Sequence, residues 1–385
     1  MPVPEPGYDI EALRRRIPLL ASCIPLNNCS QGPQTDLTRA AADRYLESWN
    51  RTGMDWDAWM EEVRLAKSAF ASLIGAHHED IAVFSSVSEA TSAVASALDF
   101  TWSKRRIVVS EMEFPTTGHV WLAQESRGAE VSWVAMHDGV IDLSNYDAAI
   151  NDDTKLVAAC SGYYVNGFKQ DLGQIVSRAH AAGALVFTDA YQALGAMPVN
   201  VGESGVDFLA SGNLKYLMGV PGIAFLYVKA EVAERLQPTV TGWFGRANPF
   251  AFDVKQLDWS AGASRFDSGT PPVMNAYIAR AGMEMISSVG VDKIRSWHEV
   301  LSARLRDGGR DRGLTQHGTS DIAHKTANTA FLVNDSHAIE AAMRARGVLP
   351  SARGPVIRLA PHFYNTLDDI DTGLDLLAEL ARGEP

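Results

Sequence analysis

The residues in this chain best suited to chemistry are an acid and a lysine, Asp189 and Lys215, 26 residues apart. Asp189 closes the apolar run Val186-Phe187-Thr188 and is followed by Ala190-Tyr191-Gln192. Lys215 stands in Ser211-Gly212-Asn213-Leu214-Lys215-Tyr216, ahead of a Gly/Pro-rich loop and a further apolar run, Ile223–Val228. Taken singly, a strand-end Asp is an ordinary helix cap and a Lys an ordinary surface cation. In this order they are what pyridoxal-5′-phosphate (PLP) requires. Its aldehyde needs an amine, and its pyridine nitrogen needs a carboxylate that keeps it protonated, so that the ring can accept electrons. A lysine in a dry site also loses basicity, which favours the Schiff base.

Arg358, in Val356-Ile357-Arg358-Leu359-Ala360-Pro361, is a third candidate. A guanidinium grips a carboxylate through two parallel hydrogen bonds. An unpaired Arg on a buried strand is costly, which points independently to an anionic ligand. Arg353, nearby, reads as solvent-facing. Phe84-Ser85-Ser86-Val87-Ser88-Glu89-Ala90 ends a strand and opens a helix. Amides at such a start bind anions, and the Ser88 hydroxyl adds a donor; the same residues are also plain N-cap punctuation. Asn166, before Gly167, is a pocket candidate that equally fits a turn.

The elements that must position these residues follow from alternation. From about residue 75, β-rich runs (Ile81–Phe84, Ile107–Val109, Val131–Val134, Leu156–Ala159, Leu185–Thr188, Ile223–Val228) alternate with helical stretches such as Ser88–Leu98, Gly118–Gln124 and Gly173–Ala182. This predicts an α/β domain, a mostly parallel sheet between helices with ligands at the carboxyl ends of its strands. Ser268-Gly269-Thr270-Pro271-Pro272 breaks the pattern. Helical Val273–Ser288 and Gly290–Leu305, a strand-like Thr329–Val333 and a final helix near Leu367–Ala381 then predict a smaller α+β domain. The expected division is 1–262 and 263–385. The stretch Leu37–Ile74 reads as helical, with Trp49, Trp56 and Trp59 as core or subunit contacts.

Composition narrows the function classes. Lys plus Arg is 34 against 46 Asp plus Glu, a net charge of −12, which argues against nucleic acid or an anionic membrane as the main partner. No apolar run approaches the roughly 20 residues of a membrane span, and the amino terminus does not read as a signal peptide. Three cysteines (Cys23, Cys29, Cys160) form neither a disulfide framework nor a metal-ligand spacing. No metal and a cytoplasmic setting are expected.

The pieces VFTDAYQALGAMPVNV, VDFLASGNLKYLMGVPGIAFLYV and VIRLAPHFYNTLDDID resemble the class V aminotransferase family of fold-type-I PLP enzymes, which includes cysteine desulfurases, isopenicillin N epimerase and kynureninase. The likeness spans nearly the whole chain. It implies that Lys215 is the Schiff-base lysine, Asp189 the partner of the pyridine nitrogen, and Gln192 a hydrogen-bond partner of the phenolic oxygen. It also implies that Val87 and Ser88 bind the phosphate, that Phe114 in Glu113-Phe114-Pro115-Thr116 stacks on the ring, and that Arg358 holds the substrate carboxylate. Thr241-Gly242-Trp243-Phe244-Gly245 and Ser268–Pro272 resemble segments that reach the neighbouring subunit's cofactor, so Thr270 would bind phosphate across a homodimer interface. Two departures stand out. Leu214 replaces a usual His, and Gly212 replaces a Ser that often contacts phosphate, with Ser211 able to substitute only if the backbone shifts.

The reaction is less constrained. Persulfide-forming desulfuration is disfavoured because no cysteine follows Cys160. The Phe-Pro-Thr, Gly-Trp-Phe-Gly and Gly-Thr-Pro-Pro pieces look kynureninase-like and favour a lyase or hydrolase acting at Cβ. Aminotransferase and epimerase stay open, as does a PLP-bound protein without catalysis.

Overall fold

A computed structural model describes residues 5–383. The predicted sheet is present and has seven strands. They are β1 (Ile81–Phe84), β2 (Arg106–Ser110), β3 (Glu130–Val134), β4 (Thr154–Ala158), β5 (Leu185–Asp189), β6 (Phe208–Gly212) and β7 (Ala224–Val228). Their order is β1-β7-β6-β5-β4-β2-β3. Strands β2 to β6 pair in parallel, while β7 runs antiparallel to both β6 and β1. Alternate residues serve opposite faces. Val108, Val157, Val186, Leu209 and Phe225 pack into one core layer, and Ile107, Leu156, Phe187, Phe208 and Leu226 into the other. A sheet buried on both faces this way has to be covered by helices.

Those helices begin with α1 (Asp36–Thr52) and α2 (Trp56–Ile74). The single helical stretch expected over Leu37–Ile74 is therefore two helices. Gly53 takes a left-handed φ of 70° and ends α1, and the Asp55 side chain accepts the Ala58 amide to start α2. Helices α3 (Val87–Ser96), α4 (Pro115–Leu122) and α5 (Leu172–Ala181) connect strands. Helix α6 (Val273–Val289) packs on α1 and α2.

Beyond it, α7 (Val291–Asp311) and α9 (Leu367–Ala381), with α8 (Ser336–Ala345) between them in sequence, cover a four-stranded antiparallel sheet. Its strands are β8 (Gln316–His317), β9 (Thr329–Leu332), β10 (Ser351–Arg353) and β11 (Val356–Leu359), in the order β10-β11-β9-β8. Residues 24–30 lie against this second core rather than the first. Ile24 and Pro25 pair with Val348 and Leu349, Leu26 is buried among Trp297, Phe331 and Ile357, and Asn27 bridges to Ala360.

No helix among the described residues is long and apolar enough to cross a membrane.

Candidate active site

The chain runs from β2 to β3 on one side of the sheet and returns to β4 on the other, opening a crevice at the carboxyl ends of β2 and β4. A cavity of about 390 Å³ lies there. Lys215, Asp189, Gln192, Val87, Ser88, Phe114 and Arg358 all line it, so seven of the sequence candidates converge from five separate segments of the chain.

Asp189 is the last residue of β5 and is buried; its Oδ1 accepts the Tyr191 amide at 2.8 Å. Burial raises its pKa, while the Lys215 ammonium and the Tyr191 amide pull it down. Burial likewise pulls Lys215 down to about 8, opposed chiefly by the Asp189 charge. The pair thus offers a lysine with an appreciable neutral fraction near neutrality. Its Nζ lies 4.1 Å from the centre of the Tyr191 ring and 5.6 Å from that of Phe114.

Tyr191 accounts for one of the two departures at the lysine loop, Gly212. A Cβ built on Gly212 would fall 2.1 Å from the Tyr191 hydroxyl and ring, so only glycine fits there. The phenol fills the room a serine side chain would need, and its oxygen interacts with the Leu214 backbone. Ser211 is fully buried, donates to the Gly212 carbonyl at 2.9 Å and stays outside the cavity. Sequence reasoning missed Tyr191, which reads as one aromatic in a turn. The collision with residue 212 is visible only in three dimensions.

Gln192 donates from Nε2 to the Cys29 carbonyl at 2.9 Å, and its Oε1 is buried without a donor. At the opposite wall, the first amides of α3 have no acceptor within their helix, and Val87 and Ser88 face the cavity. The Ser88 and Thr116 hydroxyls lie 3.2 Å apart beside them. Phe114 follows β2 and meets Tyr164 edge to face, with centres 5.2 Å apart.

Its neighbour Glu113 was not a sequence candidate. It is buried, with the Ser110 hydroxyl 3.5 Å from Oε1 and the Cys160 backbone and thiol beside the carboxyl. Burial and the Asp189 charge lift its pKa to about 8. Of the two carboxyls, Glu113 therefore keeps its proton and Asp189, with a cation and an amide beside it, ionises.

Arg358 projects from β11 and is 1% exposed. Its partners are all neutral: the Tyr164 carbonyl at 2.8 Å, the Ser30 hydroxyl at 2.9 Å, the Ser351 hydroxyl at 2.5 Å and the Ser351 carbonyl at 3.4 Å. Four of its five N–H groups are so occupied. The expected two-pronged grip therefore has one open prong, the Nη1 hydrogen not given to the Tyr164 carbonyl, while Nη2 is taken by the two serine hydroxyls.

Two expected site residues fall elsewhere. Asn166 is buried away from the cavity, donating to the Gly139 carbonyl at 2.8 Å and accepting the Phe168 amide at 2.9 Å, because Gly167 at φ 79° makes this a tight turn. Thr270 is exposed and does not line the cavity within its own chain. Arg353, read as solvent-facing, is exposed but stands at the cavity wall. Both Cys29 and Cys160 also line it. Burial, with Glu113 and Asp189 close by, raises the Cys160 thiol well above its usual range, so it is held as an inert thiol.

Behind the lysine, His362 Nε2 meets the Tyr216 carbonyl at 2.9 Å, His362 Nδ1 meets His298 Nε2 at 3.2 Å, and His298 Nδ1 meets the Ala196 carbonyl at 3.0 Å. Burial depresses both imidazoles, His298 to about 3. Two neutral rings carry two N–H hydrogens for these three contacts, so one contact is packing alone. The chain thereby clamps the backbone next to Lys215 with uncharged groups.

A family model for class-V aminotransferases matches residues 40–370. The chain is 35% identical over 370 residues to an uncharacterized aminotransferase, YcbU, of Bacillus subtilis, covering 96% of this chain and 97% of that one. Among solved structures it is similar to the apo form of a cysteine desulfurase from Thermococcus onnurineus, with a TM-score of 0.88, 23% identity and complete coverage of both chains. It is also similar to the cystine C–S lyase C-DES, with a TM-score of 0.86 and 18% identity over 95% of this chain and 99% of that one. That structure holds glycine covalently linked to its PLP cofactor. At these identities the solved structures establish the fold.

Proposed function

The chain belongs to the class-V aminotransferase family of PLP enzymes, and on that premise we propose that it acts on an amino acid with Lys215 as the cofactor-binding and proton-transferring residue, cleaving at Cβ. The observation that carries the reading is the single cavity onto which Lys215, Asp189 and Arg358 all open.

The residues present fit PLP. Helix α3 offers unpaired amides at Val87 and Ser88, with the Ser88 and Thr116 hydroxyls, for a phosphate. The Asp189 carboxylate has one oxygen bonded to the Tyr191 amide and can give the other to a ring N–H. The orphaned Oε1 of Gln192 and the second hydrogen on its Nε2 leave polar capacity for the phenolic edge. The Phe114 ring supplies an apolar wall. Bound there, PLP supplies an aldehyde that takes up amines and a ring that accepts the electron pair released at Cα.

The chain's own residues do the rest. Lys215, lowered to about 8, holds the cofactor and, when a substrate amine has replaced it, takes the proton from Cα as a general base. The open prong of Arg358 and the Ser30 hydroxyl orient the substrate carboxylate. Phe114, Tyr164, Leu214 and Ile223 keep water from the Cα proton. Cleavage at Cβ is supported by the kynureninase-like Phe-Pro-Thr segment and by the likeness in fold to a C–S lyase. The aminotransferase relative at 35% identity favours amino transfer as the second reading.

Two subunits would complete the sites. Trp243 and Phe244, on a segment expected to reach the neighbour, form one aromatic cluster with Phe250 and Phe252, and Phe252 is 70% exposed. Covering such a patch in a homodimer accounts for it, and Thr270 would then serve the partner's phosphate site.

An absorbance spectrum of purified protein beside a Lys215→Ala variant tests the reading. A borohydride-sensitive visible band, absent from the variant and shifted by an amino acid, is expected. Ammonia with pyruvate, or alanine with a released side chain, marks Cβ cleavage. A colour that is lost with one amino acid and restored by a keto acid marks amino transfer. Protein that stays colourless with added PLP overturns the reading.

A further inference from the structure

Two guanidiniums of the small sheet face the cavity, and only one has been given a task. On the antiparallel pair β10–β11, Ser351 stands opposite Arg358, so both side chains share a face. Arg353 lies two residues further along β10, opposite Val356, and returns to that face as the diagonal neighbour of Arg358, about 7–8 Å away. Its guanidinium makes no ion pair and no side-chain hydrogen bond with any described residue. Most other arginines in the chain are paired with carboxylates, as Arg246 is with Asp258 and Arg280 with Glu62.

The charge at Arg353 bears on the reaction centre. It is felt at Lys215, where it adds to the effect of Arg358 in lowering the ammonium's pKa. The one carboxylate lining the cavity is Asp189, already committed to Lys215. With a substrate carboxylate on Arg358, an uncompensated cation therefore remains at the wall of the same cavity. A neutral or aromatic side chain would leave that cation to solvent, whereas an anion on Cβ or Cγ would pair with it.

We propose that the substrate is an amino acid bearing a second anionic group on its side chain, a carboxylate or an oxidised sulfur acid, and that Arg353 is the residue that selects it. The proposal rests on the reading of Arg358 as the α-carboxylate site.

Spectral titration of the PLP-loaded enzyme tests it, with L-aspartate and L-cysteine sulfinate set against the neutral isostere L-asparagine, and calorimetry with succinate against butyrate as a binding readout free of turnover. The acids are expected to bind at least about tenfold more tightly than the amide, as one partly solvated charge-assisted pair allows. Arg353→Gln should erase that ratio, and Arg353→Lys should keep most of it. An asparagine or butyrate affinity equal to that of the acids overturns the proposal and leaves the PLP reading standing. Loss of PLP affinity in Arg353→Gln, with the acid-to-amide ratio intact, gives Arg353 to the phosphate and also overturns it. If no amino acid, acidic or neutral, shifts the spectrum, the underlying reading of the site falls and the proposal with it.

Discussion

Replacing Lys215 by Met should make the cofactor-free protein more stable at neutral pH while abolishing the cofactor's attachment. Burial brings the lysine from 10.5 down to about 8. Below pH 8 it is protonated in both the folded and the unfolded chain, and the folded state bears the full cost of burying the charge. At about 1.4 kcal/mol per pH unit, the gap of about 2.5 between the two pKa values amounts to about 3 kcal/mol. Between pH 8 and 10.5 the folded chain has released the proton and the unfolded chain has not, so wild-type stability rises with pH and the cost vanishes. Methionine has similar length and no charge, but it strips Asp189 of its cation, which returns part of the gain. We therefore expect the apo Lys215→Met variant to be more stable by about 1–2 kcal/mol at pH 7, with the advantage gone by pH 10. Urea titrations of both apo-proteins at the two pH values measure this. A variant less stable than wild type at pH 7, or an advantage independent of pH, would refute the account of Lys215 as a strained buried cation.

Further outcomes follow from the same geometry. Arg358→Gln should raise KM for the amino acid about 10- to 100-fold, the worth of a charge-assisted hydrogen bond in a dry site, with a smaller effect on kcat; steady-state kinetics separate the two. Mixing refolded Lys215→Ala with Thr270→Ala subunits should restore activity, because one mixed site is intact if Thr270 acts across a homodimer, and no recovery places its role within one chain. Gly212→Ser drives its Cβ to 2.1 Å from Tyr191 and should cost about 1–3 kcal/mol. Combining it with Tyr191→Ala should recover part of that loss, a non-additivity that thermal unfolding of the four proteins would reveal.

Much of this was legible in the linear chain. Five of the six β-rich runs from Ile81 to Val228 became strands buried on both faces, and buried strands of this kind are written as continuous apolar runs; the sixth, Val131–Val134, is the partly exposed edge strand β3. Strand β6 went unread, since Phe208-Leu209-Ala210-Ser211-Gly212 is rich in poor strand formers. Its glycine is demanded by Tyr191, which no local pattern announces. Lys215 and Asp189 were legible through their order along the chain, and Arg358 because a guanidinium on a buried strand calls for an anion. Arg353 was not, because its meaning comes from pairing register with Arg358. Glu113 and the two cavity cysteines are likewise defined by neighbours remote in sequence.

The strap formed by residues 24–30 has a consequence for how the protein is made. Leu26 and Asn27 seat on residues 331–360, Ser30 bonds to Arg358, and Asn28 bonds to Tyr364. The carbonyl of Cys29 in turn holds Gln192. Contacts of this span are the slowest to close. During synthesis residues 24–30 leave the ribosome long before residues 331–364 exist, and their contacts with that segment must wait until it has emerged. The carboxylate grip and the Gln192 wall are therefore completed together and late. A nascent or truncated chain holds its seven-stranded sheet well before it has a competent pocket, and a partly translated enzyme has no finished site in which to commit a stray reaction.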